Sequence, residues 1–403
     1  MTFHATVVGV DRPGVTARMF GALAEAAILD VEQVVVAGQL VLGTVLLAPE
    51  GSEDELESRL RAAVPDFDVT IRQVHAADVA GPVPNATVTV VGAAITGRDL
   101  GALAASMAAG GANIARIDRV ADYPVTVLAL DVLAPDPATL RRELVAICHD
   151  LDVDVSVQPR GLARRGVHLV VMDVDSTLIQ DEVIEVLARF AGREAEVRRV
   201  TEAAMRGELD FAESLHARVA ELAGLPEEVI AWAREQIRLT PGARTLCRIL
   251  KGLGYRIALV SGGFIEVIGP LADELGVDAV RANGLEVRDG RLTGRVHGPV
   301  VDRAAKERAL REFAEEFGID PARTVAIGDG ANDLDMLAAA GHGIAFNAKP
   351  VVQAAAHSAI NVPYLDTVLY LMGISREEIE AADAAAGVRP EDLPGRGLSR
   401  AES

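Results

Sequence analysis

The hydrophobic and polar positions of the first 75 residues predict strands near 3–10, 31–38, 40–48 and 67–74, with helices near 13–27 and 53–64. The same order then recurs, with elements near 85–92, 98–110, 114–122, 124–133, 138–149 and 152–158. The two runs align in register. Thr6-Val-Val-Gly-Val matches Thr89-Val-Val-Gly-Ala, and the offset of 83 also pairs Gly9 with Gly92, Gly14 with Gly97, and Asp30 with Asn113. A repeat of this length marks a duplicated domain rather than a solenoid unit. The order βαββαβ predicts a ferredoxin-like sheet with helices on one face. Linkers are expected near Ala76–Pro84 and Pro159–Gly166.

From Val167 the pattern changes. Val167-His-Leu-Val-Val-Met is almost continuously apolar, as a buried parallel strand should be, and it stops at Asp173. Arg256–Val260 and Thr324–Ile327 read as two more such strands, ending at Ser261-Gly262-Gly263 and Gly328-Asp329-Gly330. A largely helical stretch fills about 181–239, and Asn283–Val296 alternates around Asp289-Gly290 as a hairpin. The expected architecture is α/β. Two tandem ferredoxin-like domains at 1–78 and 84–160 precede a parallel-sheet domain at 166–380, with its helical stretch as a cap and 381–403 as a flexible tail.

Composition narrows the function. Half of the 403 residues are hydrophobic, yet no apolar run approaches the roughly 20 residues that span a bilayer. Met1–Val10 reads as a strand without the basic start of a signal peptide, so a cytoplasmic protein is expected. Cys148 and Cys247 are expected to be buried free thiols. The net charge of −20 argues against nucleic acid and anionic membranes as partners. It also means that any phosphate ligand needs a local cation, and the chain holds only Lys251, Lys306 and Lys349 as lysines.

The polar clusters fall where ligands bind in open α/β sheets, beyond the carboxyl ends of the strands. They are Asp173-Val-Asp175-Ser-Thr, Ser261-Gly262-Gly263 and Gly328-Asp329-Gly330-Ala-Asn332-Asp333. Any one of them alone reads equally well as a helix cap. Together, carboxylates at one sheet edge repel unless a hard cation neutralises them, and Mg2+ shared with a substrate phosphate fits that need.

These clusters resemble the four motifs of the haloacid dehalogenase superfamily, with Lys306 as the third, and that resemblance implies a Rossmann-like core. Residues 167 to about 365 further resemble phosphoserine phosphatases through Glu182, Met205, Phe211, Arg218, Ser261-Gly-Gly-Phe264 and Asp289-Gly-Arg-Leu-Thr-Gly294. The N-terminal repeats resemble ACT domains, which bind amino acids. The resemblance implies hydrolysis of O-phospho-L-serine to L-serine and phosphate, the last step of serine biosynthesis, through an aspartyl-phosphate on Asp173. Asp175 would protonate the leaving oxygen and then activate water. Mg2+ would be held by Asp173, the backbone carbonyl of Asp175, and Asp329, with Asp333 behind them. Lys306, Ser261, the amide of Gly262, and Asn332 would contact the phosphate. Glu182 would meet the substrate's ammonium and Arg218 its carboxylate, under a lid that includes Met205 and Phe211.

The repeats carry no catalytic cluster. Each keeps a glycine turn, Asp11-Arg-Pro-Gly14 and Ile95-Thr-Gly97, which is expected to leave amides free at a helix start for a carboxylate. Asp30 and Asn113, expected to open the second strand of each copy, are candidates to hold an amino group. L-serine is the expected regulator and a homodimer the expected assembly. Alternatives are a phosphatase of the same fold acting on another small phosphomonoester or a phosphoprotein, a phosphomutase, and a catalytically dead amino-acid sensor.

Overall fold

The computed structural model describes residues 1–75, 83–148, 150–161, 166, 168–205 and 211–388, with the backbone alone for 201–205. The chain divides into two compact units after Val83. In the first unit, strands β1 (Thr2–Val10), β2 (Ala27–Val36), β3 (Gln39–Leu47) and β4 (Asp68–Val74) form an antiparallel sheet in the order β2-β3-β1-β4. Alternate residues of β1, Phe3, Ala5 and Val7, are buried beneath Val15, Met19, Leu56 and Leu60 of the helices Val15–Ala22 and Glu53–Ala63. Gly9 is required at the end of β1: a Cβ there would lie 2.3 Å from the Phe67 ring.

Two boundaries differ from expectation. The first helix stops at Ala22, and β2 starts at Ala27 rather than near 31. The alanine-rich join has no glycine or proline to mark a stop, so the chain turns on local bonds such as Ala26 N to Leu23 O. Asp30 therefore lies inside β2, beside a register shift after Ile28, and not at its start.

The second unit begins with the second repeat: β5 (Ala86–Gly92), β6 (Asn113–Ala121), β7 (Thr126–Leu133) and β8 (Asp154–Pro159), with helices Gly97–Ala109 and Pro137–Cys148. The remaining strands are β9 (Leu169–Met172), β10 (Arg256–Phe264), β11 (Ala279–Arg288), β12 (Arg291–His297), β13 (Thr324–Gly328), β14 (His342–Phe346) and β15 (Ser358–Ile360). Strands β11-β10-β9-β13-β14-β15 are parallel neighbours, and β12 closes one edge as the antiparallel arm of a hairpin. β10 was expected to end at Val260; it runs on to Phe264 across a register break that opens the Ser261-Gly-Gly segment.

Leu169 and Val171 of β9 face Leu310 and Phe313 in one layer, while Val170 and Met172 join Leu246, Leu250 and Val368 in the other. This is why the run is apolar throughout. Between β9 and β10 lie helices Val183–Ala191, Glu194–Met205, Phe211–Ala220 and Glu228–Gln236. The second repeat is not a separate bead. β8 pairs with β15 through Ser156 and Ser358, whose hydroxyls are 2.7 Å apart, so one sheet runs through eleven strands. Val91, Ala121, Val125 and Val127 share a core cluster with Leu365 and Val368.

The expected tail is also shortened. Residues 381–385 complete the helix Arg376–Ala385, which starts at a Ser375–Glu378 capping box and buries Ile379. An alanine-rich, charged stretch serves a capped helix as readily as a frayed end. Both cysteines are free thiols pushed up to about 12 by burial, although Cys148 is only half-buried. Among the described residues, no helix is long and apolar enough to cross a membrane.

Candidate active site

β9, β10 and β13 end side by side and deliver their polar clusters to one cavity of about 580 Å³. Asp173 follows β9 directly, and its amide donates to Ile327 O of β13 at 2.9 Å. Both of its carboxylate oxygens are engaged: Oδ1 accepts from Val174 N at 2.7 Å, and Oδ2 lies 2.8 Å from Lys306 Nζ. The chain then reverses through Ser176, a non-glycine residue in the left-handed region at φ 58°. That turn folds Asp175 back over the cavity. Its Oδ1 accepts from Val183 N at 2.7 Å and its Oδ2 from Ser261 Oγ at 2.9 Å.

Lys306 is wholly buried in the helix Arg303–Glu316 and also bonds Asp333 Oδ1 at 2.7 Å. Burial opposes its charge, but Asp173 and Asp333 more than offset that and raise its pKa. Asp333 accepts from Gly330 N through its other oxygen, which fixes the turn after β13. Asp329 accepts from Thr177 Oγ1 at 3.0 Å. Glu182 accepts from Ser176 Oγ at 2.9 Å, and it lines the cavity with Phe211 and Arg218.

Asp173, Asp175, Asp329, Asp333 and Glu182 thus gather at a cavity whose cationic side chains are Lys306, Arg218 and, on its wall, Lys349. Burial raises the pKa of Asp173 and Asp175, pushes Asp329 to about 6 with help from Asp333, and pushes Glu182 to about 7 with help from Asp175. Burial also lowers Arg218, against the pull of Glu182 and Asp175. Asp173, Asp329 and Asp333 each place a carboxylate oxygen within 4.8 Å of the others. An excess of buried oxygen anions at this spacing fits a hard divalent cation.

Asp173, Asp175, Glu182, Phe211, Arg218, Gly262, Asp329 and Asn332 line the one cavity. Ser261 and Lys306 are buried against its carboxylates. The side chain of Met205 lies outside the described residues. Sequence reasoning missed Asn283, which is buried and ties two motifs together. Its Nδ2 donates to Gly262 O at 2.7 Å, and its Oδ1 accepts from Val301 N at 2.9 Å, just before the helix that carries Lys306. The available signal was a polar residue at the start of an otherwise buried strand segment, Asn283-Gly-Leu.

The residues expected to bind a regulator differ between the copies. Gly14, at φ 87°, starts its helix with no side-chain cap, and Asp11 and Asp30 are exposed nearby in sequence. At Gly97 the helix start is partly capped: Asp99 accepts from Thr96 N at 2.8 Å while Thr96 Oγ1 accepts from Asp99 N, so a carboxylate of this chain stands at the N-cap. Asn113 is the first residue of β6 and is exposed.

Comparison with known proteins agrees with this geometry. Residues 170–338 match the haloacid dehalogenase-like hydrolases, and residues 2–74 and 85–158 each match an ACT domain. A phosphoserine phosphatase of Streptomyces coelicolor is 52% identical over 96% of this chain and 95% of its own length. Phosphoserine phosphatase SerB2 of Mycobacterium tuberculosis is 50% identical over 96% of this chain and 97% of its own. The unliganded crystal structure of a probable phosphoserine phosphatase from Vibrio cholerae superposes with a TM-score of 0.57 at 32% identity, covering 73% of this chain and 88% of that one. Near-complete coverage at this identity, with the same domain order, means that the chain belongs to the phosphoserine phosphatases, haloacid dehalogenase-like hydrolases that here carry two ACT domains.

Proposed function

We propose that the protein hydrolyses O-phospho-L-serine through a phospho-enzyme on Asp173, with L-serine and phosphate as products. The observation that carries this reading is the buried Asp173–Lys306–Asp333 cluster, in a cavity that also offers Glu182 and Arg218 to an amino acid. Lys306 aims Asp173 and opposes the burial and the Asp333 charge that raise its pKa. The Asp173 carboxylate attacks phosphorus, and the bond from phosphorus to the serine oxygen breaks. Asp175 supplies the proton that this oxygen takes up; its raised pKa supports a role as acid. Asp175 then accepts a proton from the water that cleaves the aspartyl-phosphate, so the proton count closes over the cycle. When Asp175 is protonated it is a weaker acceptor, which frees the Ser261 hydroxyl to donate to phosphate instead.

Mg2+ would be held by Asp173, the backbone carbonyl of Asp175, and Asp329, and when bound it would neutralise phosphoryl oxygens. Asp333 would stand behind it, committed to Lys306 and Gly330. The amide of Gly262 and Asn332 would complete the phosphate contacts. Glu182 would take the ammonium and Arg218 the carboxylate. Phe211, whose ring tip lies 3.1 Å from where a Cβ on Gly262 would be, would shield the reacting groups from water. The two N-terminal domains would pair two chains and bind L-serine as a regulator.

Phosphate release from O-phospho-L-serine, followed as Mg2+ is titrated, tests the reading. Asp173→Asn should abolish turnover while the fold persists. Asp175→Asn should be slow yet accumulate phospho-enzyme, because attack can precede proton delivery. Substantial turnover by Asp173→Asn at saturating Mg2+ would remove Asp173 from the nucleophile's role.

A further inference from the structure

Lys251 bonds Asp278 at 2.8 Å, and Lys306 is buried between two carboxylates. Lys349 is different. It is exposed on the loop after β14, it lines the catalytic cavity, as Asn332 does, and it makes no ion pair among the described residues. Its loop is tightly built. Asn347 is held in the left-handed region at φ 46°, with its amide on Ile360 O at 2.8 Å. Gln353 Nε2 donates to Ala348 O at 2.7 Å and to Asn361 Oδ1 at 2.8 Å. Asn361 donates to both oxygens of Asp154, from its amide at 2.7 Å and its side chain at 2.6 Å. Asp154 belongs to β8 of the second ACT domain. A chain of hydrogen bonds therefore joins that domain to the carbonyl next to Lys349. The helix Pro350–Ala355 is also a partition: Val351 and Val352 line the catalytic cavity, while Pro350 and Gln353 line a second cavity walled by Val91 and Val153 of the ACT domain.

We propose that Lys349 captures the anionic phosphomonoester at the mouth of the catalytic cavity, and that Asp154 is a positioning residue that sets Lys349 through Asn361 and Gln353. The inference rests on the phosphomonoesterase reading above. A phosphate dianion approaching this site meets a chain of net charge −20 and a cluster of carboxylates. Lys306 is neutralised by its two partners, so the exposed ammonium of Lys349 supplies the attraction at the entrance.

Full-length enzyme with Mg2+ tests both parts. Lys349→Gln should lower kcat/KM for O-phospho-L-serine about five- to tenfold at low salt, leave kcat nearly unchanged, and flatten the dependence of kcat/KM on ionic strength. Lys349→Arg should retain the wild-type values. Asp154→Ala should raise KM in the same direction, and adding it to Lys349→Gln should produce no further loss. If Asp154→Ala does not fold, Asn361→Ala cuts the same link and must show the same non-additivity. An unchanged kcat/KM and salt slope in Lys349→Gln overturns the capture role. Full additivity of the two changes overturns the positioning role. A wild-type enzyme that releases no phosphate from the substrate overturns the functional reading itself, which separates that failure from these.

Discussion

A lysine with no solvent exposure is unfavourable unless its charge is matched, and Lys306 is matched twice, at 2.8 and 2.7 Å. Among the described residues Arg218 has no such fixed partner: its Nε reaches Ser214 O at 3.3 Å, which leaves the guanidinium available to a ligand carboxylate. Arg218→Ala should therefore cost O-phospho-L-serine about 2–5 kcal/mol of binding, roughly 30- to several-thousand-fold, and an aryl phosphate far less. The ratio of the two kcat/KM values reads this directly, and an equal loss would make Arg218 a support for the cap. Glu182 gives a pH dependence. Burial, with Asp175 second, holds it near 7. As pH falls through that value it takes up a proton and loses the charge that would meet the substrate's ammonium, so kcat/KM should fall on the acid side. Glu182→Gln should already be low and nearly flat over the same range. An unchanged acid limb in that variant would assign the titration to another group, such as Asp329. Asp173, Asp175, Lys306, Asp329 and Asp333 were legible in the sequence because their chemistry needs specific residue types in short motifs. The places of Asn283 and Lys349 were not, because one makes two hydrogen bonds and the other stands on the cavity wall, and neither leaves a spacing to read.

At the scale of elements, three buried strands bring the motifs together, and each was legible as an apolar run that stops at a polar cluster. β14 and β15 escaped notice because runs of five and three residues carry little pattern. The register break in β10 was also invisible. It depends on what tethers the Ser261-Gly-Gly segment across the break, where the side chain of Asn283 in β11 bonds Gly262 O in place of a backbone ladder bond. Removing its side chain leaves Gly262 O and Val301 N without their buried partner, a loss of about 1–3 kcal/mol in each case. The segment contacts phosphate rather than the amino acid in the proposed complex. Asn283→Ala should therefore slow O-phospho-L-serine and an aryl phosphate by the same factor, unlike Arg218→Ala. A loss confined to O-phospho-L-serine would place its effect in the cap instead.

On the scale of the whole molecule, the duplication was legible because glycine recurs where a side chain would collide: at Gly9 with Phe67, and at Gly92 with Val153 at 3.1 Å. The fusion of the second copy into the catalytic sheet was not, since it rests on one pairing of short strands at Ser156 and Ser358. That fusion leaves the copies in unlike settings. β2 of the first copy is a sheet edge, exposed along its length, and it carries Ile28, Leu29, Val31, Val34, Val35 and Val36. Such an edge is a template for pairing with another chain, which supports the homodimer. Val34→Lys with Val36→Lys should then shift the protein from dimer to monomer in sedimentation while turnover persists; a monomeric wild type would remove the dimer from the proposal. The helix starts differ as well. Gly14 leaves its amides without a side-chain cap, whereas a Thr96–Asp99 capping box places a carboxylate at the equivalent position in the second copy. A ligand carboxylate would be accepted at the first and repelled by Asp99 at the second. Serine should accordingly bind one regulatory site per chain rather than two. Calorimetry in an Arg218→Ala background, where the catalytic cavity has lost its carboxylate partner, isolates that site. Asp30→Ala should abolish the remaining heat and Asn113→Ala should leave it intact. Two sites per chain, or heat lost only with Asn113→Ala, would show that the second copy is the sensor and that its capped helix start is not a barrier.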